Sequence, residues 1–224
     1  MSTSSPQCFE DRSHAGRVLA QQLVGLPLER PLVLAIPRGG IDVGVEIARR
    51  LGAELDVVLA RKLRCPFQAE LAFGAISETG EVTLDRSGGV LGSISSEDLE
   101  AERRHQMAEI ARRRQLYRSV RPQAAVAGRS VIITDDGIAT GSTMIAAIHS
   151  VREAGPREII VAVPVGSPER VDVIARQCDR MVCLLEPEDF RAVGQFYRSF
   201  EQVSDERVAE LLQAAASGPV AADA

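Results

Sequence analysis

Short apolar runs rich in Val, Ile and Leu alternate with stretches whose apolar residues recur at helical spacing, from Phe9 to Leu212. Runs of the first kind suit buried strands and those of the second suit amphipathic helices. Their alternation predicts an α/β protein: a parallel sheet with helices on both faces. A helix is expected over Ser13–Val24, after the lead-in Phe9-Glu10-Asp11-Arg12. Strands are expected over Leu32–Ile36 and Leu55–Ala60, with a helix from about Val43 to Leu51 between them and Arg61-Lys62 ending the second. Leu71–Ser77 and Glu81–Leu84, joined through Glu78-Thr79-Gly80, read as a hairpin. Ser87-Gly88-Gly89 and Gly92-Ser93 predict a mobile connection. Ser95 or Ser96, followed by acids, opens a long helix ending near Val120. Beyond Pro122 come strands over Ser130–Thr134, Glu158–Val163 and Met181–Leu185, with helices over Thr143–Ala154 and Pro168–Gln177. Residues 213–224 lack a core-forming pattern and, with residues 1–8, are expected to be disordered tails. No internal repeat is visible.

Composition changes this picture little. The 224 residues suit one domain, and 45% apolar with 25% charged residues is ordinary for a globular chain. No apolar run approaches the roughly 18 residues needed to cross a membrane. The polar start, Met1 to Pro6, lacks a secretory pattern. Cys8, Cys65, Cys178 and Cys183 show no metal-type spacing, which with the rest predicts reduced thiols in a cytoplasmic protein. A net charge of −5 argues against general nucleic-acid binding. One segment runs the other way, with seven arginines between Arg103 and Arg121. Either they form ion pairs along a solvated helix, or a few of them reach a phosphate.

The chemistry concentrates in Val131-Ile132-Ile133-Thr134-Asp135-Asp136-Gly137-Ile138-Ala139-Thr140-Gly141-Ser142-Thr143. A buried-strand run ends in two adjacent carboxylates, and a hydroxyl-rich loop then leads into a helix. Paired carboxylates can accept hydrogen bonds from a vicinal diol and attract magnesium. Gly137 and Gly141 let backbone amides approach an anion, and the helix start adds unpaired N–H groups. The pattern suits a sugar phosphate. The plainer alternative is an Asp-Asp turn in which Thr140 or Ser142 merely caps the helix. An aspartyl phosphatase would carry acids two apart, and none stand so here.

This stretch resembles the signature loop of the type I phosphoribosyltransferases, which bind 5-phosphoribosyl-1-pyrophosphate (PRPP) with magnesium. The resemblance implies that Asp135 and Asp136 bind the ribose hydroxyls and that Ala139, Thr140, Gly141, Ser142 and Thr143 wrap the 5-phosphate. It implies magnesium held mainly through PRPP, with Asp135 and Asp136 as further candidate ligands. It places Arg38, Gly39 and Gly40 of Ala35-Ile36-Pro37-Arg38-Gly39-Gly40 at the pyrophosphate, together with Arg61 and Lys62, the pair expected to be catalytic. On the residues alone, Gly39-Gly40 also reads as a tight turn, and Arg61-Lys62 as a surface charge pair. Lys62 is the only lysine beside 25 arginines, and a compact ammonium suits phosphate oxygens.

The resemblance further implies a core of about five parallel strands in a single domain over 9–212. A flexible lid over 64–96, a long helix over 97–120 and a C-terminal segment over 186–212 acting as a small hood complete it. Pro-Arg-Gly-Gly, Arg-Lys-Leu, Asp-Asp-Gly-Ile-Ala-Thr-Gly and Phe-Arg-Ala-Val-Gly are similar to a group of bacterial phosphoribosyltransferases whose acceptors are unassigned. The 6-oxopurine branch carries an Asp where Ala139 stands, so a hypoxanthine–guanine acceptor is disfavoured. The implied function is transfer of ribose 5-phosphate from PRPP to a nitrogenous base, with a homodimer as one assembly it allows. The competing reading is a non-catalytic sensor of PRPP or a nucleotide. Phe190, Phe196, Tyr197 and Phe200 could stack an acceptor ring, or dock as a helical stripe into the core. Glu70 and Glu78 receive no role.

Overall fold

Leu32–Ala35 (β1) and Ser130–Thr134 (β6) are buried at every position, which is what a strand covered on both faces requires. The computed structural model of the protein describes residues 8–84 and 93–216. Five parallel strands run in the order β2-β1-β6-β7-β8, where β2 is Glu54–Val57, β7 Glu158–Val165 and β8 Arg180–Leu185. Because side chains alternate along a strand, neighbouring residues serve different layers. Val33, Ala35, Ile132 and Ile160 pack with α1 (Arg12–Leu23), α2 (Gly40–Leu51), α3 (Ser96–Val120) and α6 (Asp205–Ala216). Leu32, Leu34, Ile133 and Val161 pack on the other side with α4 (Ser142–Glu153) and α5 (Pro168–Ala175). Among the described residues no helix is long and apolar enough to cross a membrane.

The expected strand over Leu55–Ala60 is in fact two elements. β2 ends at Val57, and β3 (Ala60–Cys65) starts an antiparallel sheet with β4 (Gln68–Ser77) and β5 (Val82–Leu84). Val57, Val58, Leu59 and Ala60 are all buried, so the apolar run continues unbroken across the change of sheet and hides it. Arg61 and Lys62 therefore stand inside β3, opposite Ile76 and Ala75 of β4, rather than at the end of a core strand. The β4–β5 hairpin turns at Gly80, in the left-handed region at φ 86°. Phe73, Ala75 and Ile76 are buried, so this part of the expected lid is packed into the molecule. Phe67, at the β3–β4 turn, is exposed. The connection expected around Ser87–Gly92 lies outside the described residues.

The long helix α3 matches its expected bounds and is capped by Ser95, whose hydroxyl accepts from the Asp98 amide. Its arginines are largely paired. Arg118 reaches buried Asp56 at 2.6 Å, Arg121 reaches Glu54 at 2.9 Å, and Arg112 and Arg113 both meet Asp205 of α6. The Tyr117 hydroxyl also donates to Asp205, at 2.8 Å. Asp205→Ala would leave partly buried Arg113 and buried Tyr117 without this acceptor, and is expected to cost about 3 kcal/mol of stability in urea denaturation. α6 extends to Ala216, so residues 213–216, expected in a disordered tail, close the helix. Residues 1–7 and 217–224 lie outside the described residues. α2 begins at Gly40, three residues before the apolar periodicity at Val43.

Candidate functional site

β6 delivers Asp135 and Asp136 at its carboxyl end, and α4 opens at Ser142, six residues after Asp136. The loop between them is pinned by Ile138, whose amide donates to the Val165 carbonyl at 2.8 Å. Gly137 lies so close to Val193 that a Cβ would come within 2.7 Å of its Cγ1. Gly141 takes a left-handed φ of 78° and leaves α4 without a side-chain cap. The capping alternative thus fails at this helix: its first N–H groups stay open to a ligand. The Thr140 Oγ1 is buried and has no protein partner. Burial of this kind costs free energy unless something else supplies the bond.

Lys62, Asp135, Asp136, Thr140, Gly141 and Thr143 line a cleft of about 170 Å³, with Val193 on its wall. Ala139 also lines it, whereas Ser142 is turned into the interior and does not. A second hollow of about 200 Å³ adjoins the first and gathers Arg38, Arg61, Lys62, Arg64 and Arg113. Lys62, Asp135 and Thr143 line both, so the two hollows stand side by side. Five cations around one acid make a strongly anion-seeking surface. Burial, with the Arg113 and Arg64 charges, pulls the Arg61 guanidinium below its ordinary value. Its Nε donates to buried Gln106 of α3 at 2.5 Å, which fixes its direction.

Gly39 and Gly40 are not on the wall of the second hollow. They start α2 with the backbone pressed against the acids: a Cβ on Gly39 would overlap Asp136 Oδ2, and one on Gly40 would lie 2.8 Å from the Thr134 carbonyl oxygen. Their φ is not the reason for glycine here; the close approach is. The Pro37–Arg38 peptide in this turn is cis.

The acids differ in surroundings. Asp136 Oδ2 accepts from Arg12 Nε at 2.8 Å, and its carbonyl accepts from the Tyr197 hydroxyl at 2.6 Å. Asp135 Oδ1 accepts from the Asp136 amide at 2.9 Å. Burial first, and then the neighbouring Asp136 charge, push the Asp135 carboxyl well above the usual range. Burial also raises Asp136, against the opposing pull of Arg12.

The four clustered aromatics do not form a helix. Val193–Phe196 is a short 3-10 turn, and Phe196 and Tyr197 are buried with Phe9 and Val165. Phe190 stacks on Phe196, and Phe200 sits beneath the Arg12 guanidinium. Docking into the core is thus the role of Phe196 and Tyr197. Another hollow, about 440 Å³, shares no lining residue with the acid-pair cleft and is lined in part by Asp56, Glu78, Arg114 and Glu153. Glu78 therefore faces away from the site. Nothing in the sequence singles out Arg12, Arg64 or Gln106, and Arg113 is only one of seven arginines there.

Comparison with known proteins bears on this arrangement. The model of the phosphoribosyl transferase domain matches residues 10–201. A Mycobacterium tuberculosis protein provisionally named a phosphoribosyl transferase is 43% identical over 207 residues, 92% of this chain. The alignment takes in 47% of that protein, so the chain spans about half the length of the curated relatives it matches. The crystal structure of TT1426 from Thermus thermophilus is 46% identical, with a TM-score of 0.78 over 92% of this chain and 98% of that one. The chain belongs to the phosphoribosyl transferase domain family.

Proposed function

We propose that the paired hollows bind PRPP with magnesium and that the protein transfers its ribose 5-phosphate to a nitrogenous base, releasing pyrophosphate. One observation carries this reading: an acid pair, an open helix start and a five-cation hollow are contiguous and share Lys62, Asp135 and Thr143. A diol, a terminal phosphate and a diphosphate in one ligand would answer all three. The unpartnered Thr140 hydroxyl supports a phosphate at the α4 start.

Among the described residues no three metal-binding side chains converge, so a metal cage built from protein alone is not offered. The adjacent carboxylates fit a magnesium ion that would arrive mainly with the substrate. Asp135 and Asp136 would hold it there, and when bound it would neutralise charge on the diphosphate.

In the proposed reaction the bond from ribose C1 to the pyrophosphate oxygen breaks, and the oxygen keeps the electron pair. A nitrogen lone pair of the base forms the new bond to C1, and the nitrogen proton passes to solvent. Arg38, Arg61 and Lys62 stabilise charge growing on the leaving group, and Arg64 and Arg113 extend the same surface. Asp135 and Asp136 accept from the ribose hydroxyls while C1 becomes cationic. The amides of Ala139 to Thr143 grip the 5-phosphate, which fixes C1 between the two hollows. Closure over the ligand falls to the exposed β3–β4 turn around Phe67, within the 64–96 expected as a lid, and would keep water from the cationic centre. The four cysteines are free, which supports a reducing, cytoplasmic setting.

Pyrophosphate release on incubation with PRPP, magnesium and a panel of purine and pyrimidine bases tests the activity. Release with one base class supports the transferase. Tight PRPP binding with no release for any base would favour a sensor instead.

A further inference from the structure

We propose that Arg12 is a positioning residue that fixes Asp136 by one oxygen, so that its other oxygen and the unpaired Asp135 carboxylate face the ligand at a set spacing. This rests on the reading of the cleft as a PRPP site. Arg12 lies in the first turn of α1, 124 residues from its partner. Its Nε donates to Asp136 Oδ2 at 2.8 Å, and the two side chains are only 11% and 15% exposed. The guanidinium lies 3.8 Å from the centroid of the Phe200 ring, and Nη1 donates to the Glu201 carbonyl at 2.7 Å. Tyr197, whose ring packs on Phe200, holds the Asp136 carbonyl. Asp136 is therefore gripped at side chain and backbone by groups from both ends of the fold.

Arg12 itself lines neither hollow. Any effect it has on a ligand must pass through Asp136. That carboxylate sits over Gly39, in space that a Cβ would fill. Its second oxygen remains for the cleft, whereas among the described residues Asp135 has no ion pair at all. Two adjacent free carboxylates would repel each other and turn toward Lys62. Locking one by a planar, two-ended guanidinium presets the spacing that a vicinal diol needs.

The test uses calorimetry on the full chain with PRPP and, separately, pyrophosphate, both with magnesium, on the parent protein and on Arg12→Gln and Arg12→Lys. Arg12→Gln is expected to weaken PRPP binding about tenfold or more and pyrophosphate binding, which lacks the ribose diol, several-fold less than that. Arg12→Lys is expected to recover most of the loss, since an ammonium can still pair with Asp136 Oδ2. Unchanged PRPP affinity in Arg12→Gln would overturn the proposal. Equal losses for both ligands, or a lowered melting temperature that accounts for them, would make Arg12 a fold residue. A Lys variant as weak as the Gln variant would remove the ion pair from the account. Failure of the parent protein to bind PRPP would be a different result, taking the proposed function and this inference down together.

Discussion

Replacing Asp135 and Asp136 together with Asn is expected to abolish PRPP binding, by at least about a hundredfold, and to leave the fold intact. A hydrogen bond to a charged group contributes about 1.5–3 kcal/mol, and each 1.4 kcal/mol is about tenfold in affinity. Losing one such bond at each acid therefore exceeds two decades. The fold should survive because the acids burden it. Burial, with the neighbouring charge at Asp135, raises both carboxyls above their usual range. A carboxyl raised in the folded state binds protons there more readily than in the unfolded chain. Its contribution to stability is greatest at low pH and is lost as the pH rises from about 3.8 through the raised folded value. Removing the charges removes that cost, against which stands the lost Arg12 pair. Thermal unfolding between pH 4 and neutrality should thus show the parent protein losing more stability than the double variant. Calorimetry that found normal PRPP binding by the variant would end the ribose assignment.

Lys62→Ala is expected to slow turnover by about a hundredfold while weakening PRPP binding far less. Lys62 is exposed on β3, opposite Ala75, and borders both hollows. A ligand spanning the two would have the bond that breaks close to this ammonium. Charge on the bridging oxygen exists only as that bond lengthens, so the interaction strengthens toward the transition state. Single donors of this kind are worth about a hundredfold to a thousandfold in turnover. Steady-state kinetics beside calorimetry separates the two effects. Equal losses in turnover and ground-state binding would make Lys62 an ordinary binding residue.

Much of the fold and site is legible in the sequence because it is local. The parallel strands declare themselves as apolar runs, and α3 by its Ser95 cap. The Asp-Asp loop holds acids, glycines and a helix start within thirteen residues. What escapes depends on distance or on breaks that periodicity cannot mark. The division between β2 and β3 is invisible because Val57 to Ala60 are buried without interruption. Periodicity therefore joins Arg61 and Lys62 to the wrong strand, although the hollow they enter is next to the acids all the same. α6 is not among the expected helices, and its end is further hidden because three consecutive alanines, Ala214 to Ala216, carry no amphipathic pattern yet favour helix. The spacing of the aromatics suits a helical stripe, but their packing on Phe9 and Val165 comes from tertiary contacts. Arg12 and Arg64 carry no signal, since a lone arginine in an arginine-rich chain looks like any other until its partner is known. A tight turn alone does not describe Gly39-Gly40, whose lack of side chains lets the backbone lie against a carboxylate.

The most direct measurement is calorimetric titration of the parent protein with PRPP, with and without magnesium, beside ribose 5-phosphate. Magnesium-dependent binding of PRPP, much tighter than that of ribose 5-phosphate, is expected, because of the two only PRPP would reach the five-cation hollow as well as the loop. No binding of either ligand would leave the family scaffold without its sugar-phosphate site and would contradict the proposed function.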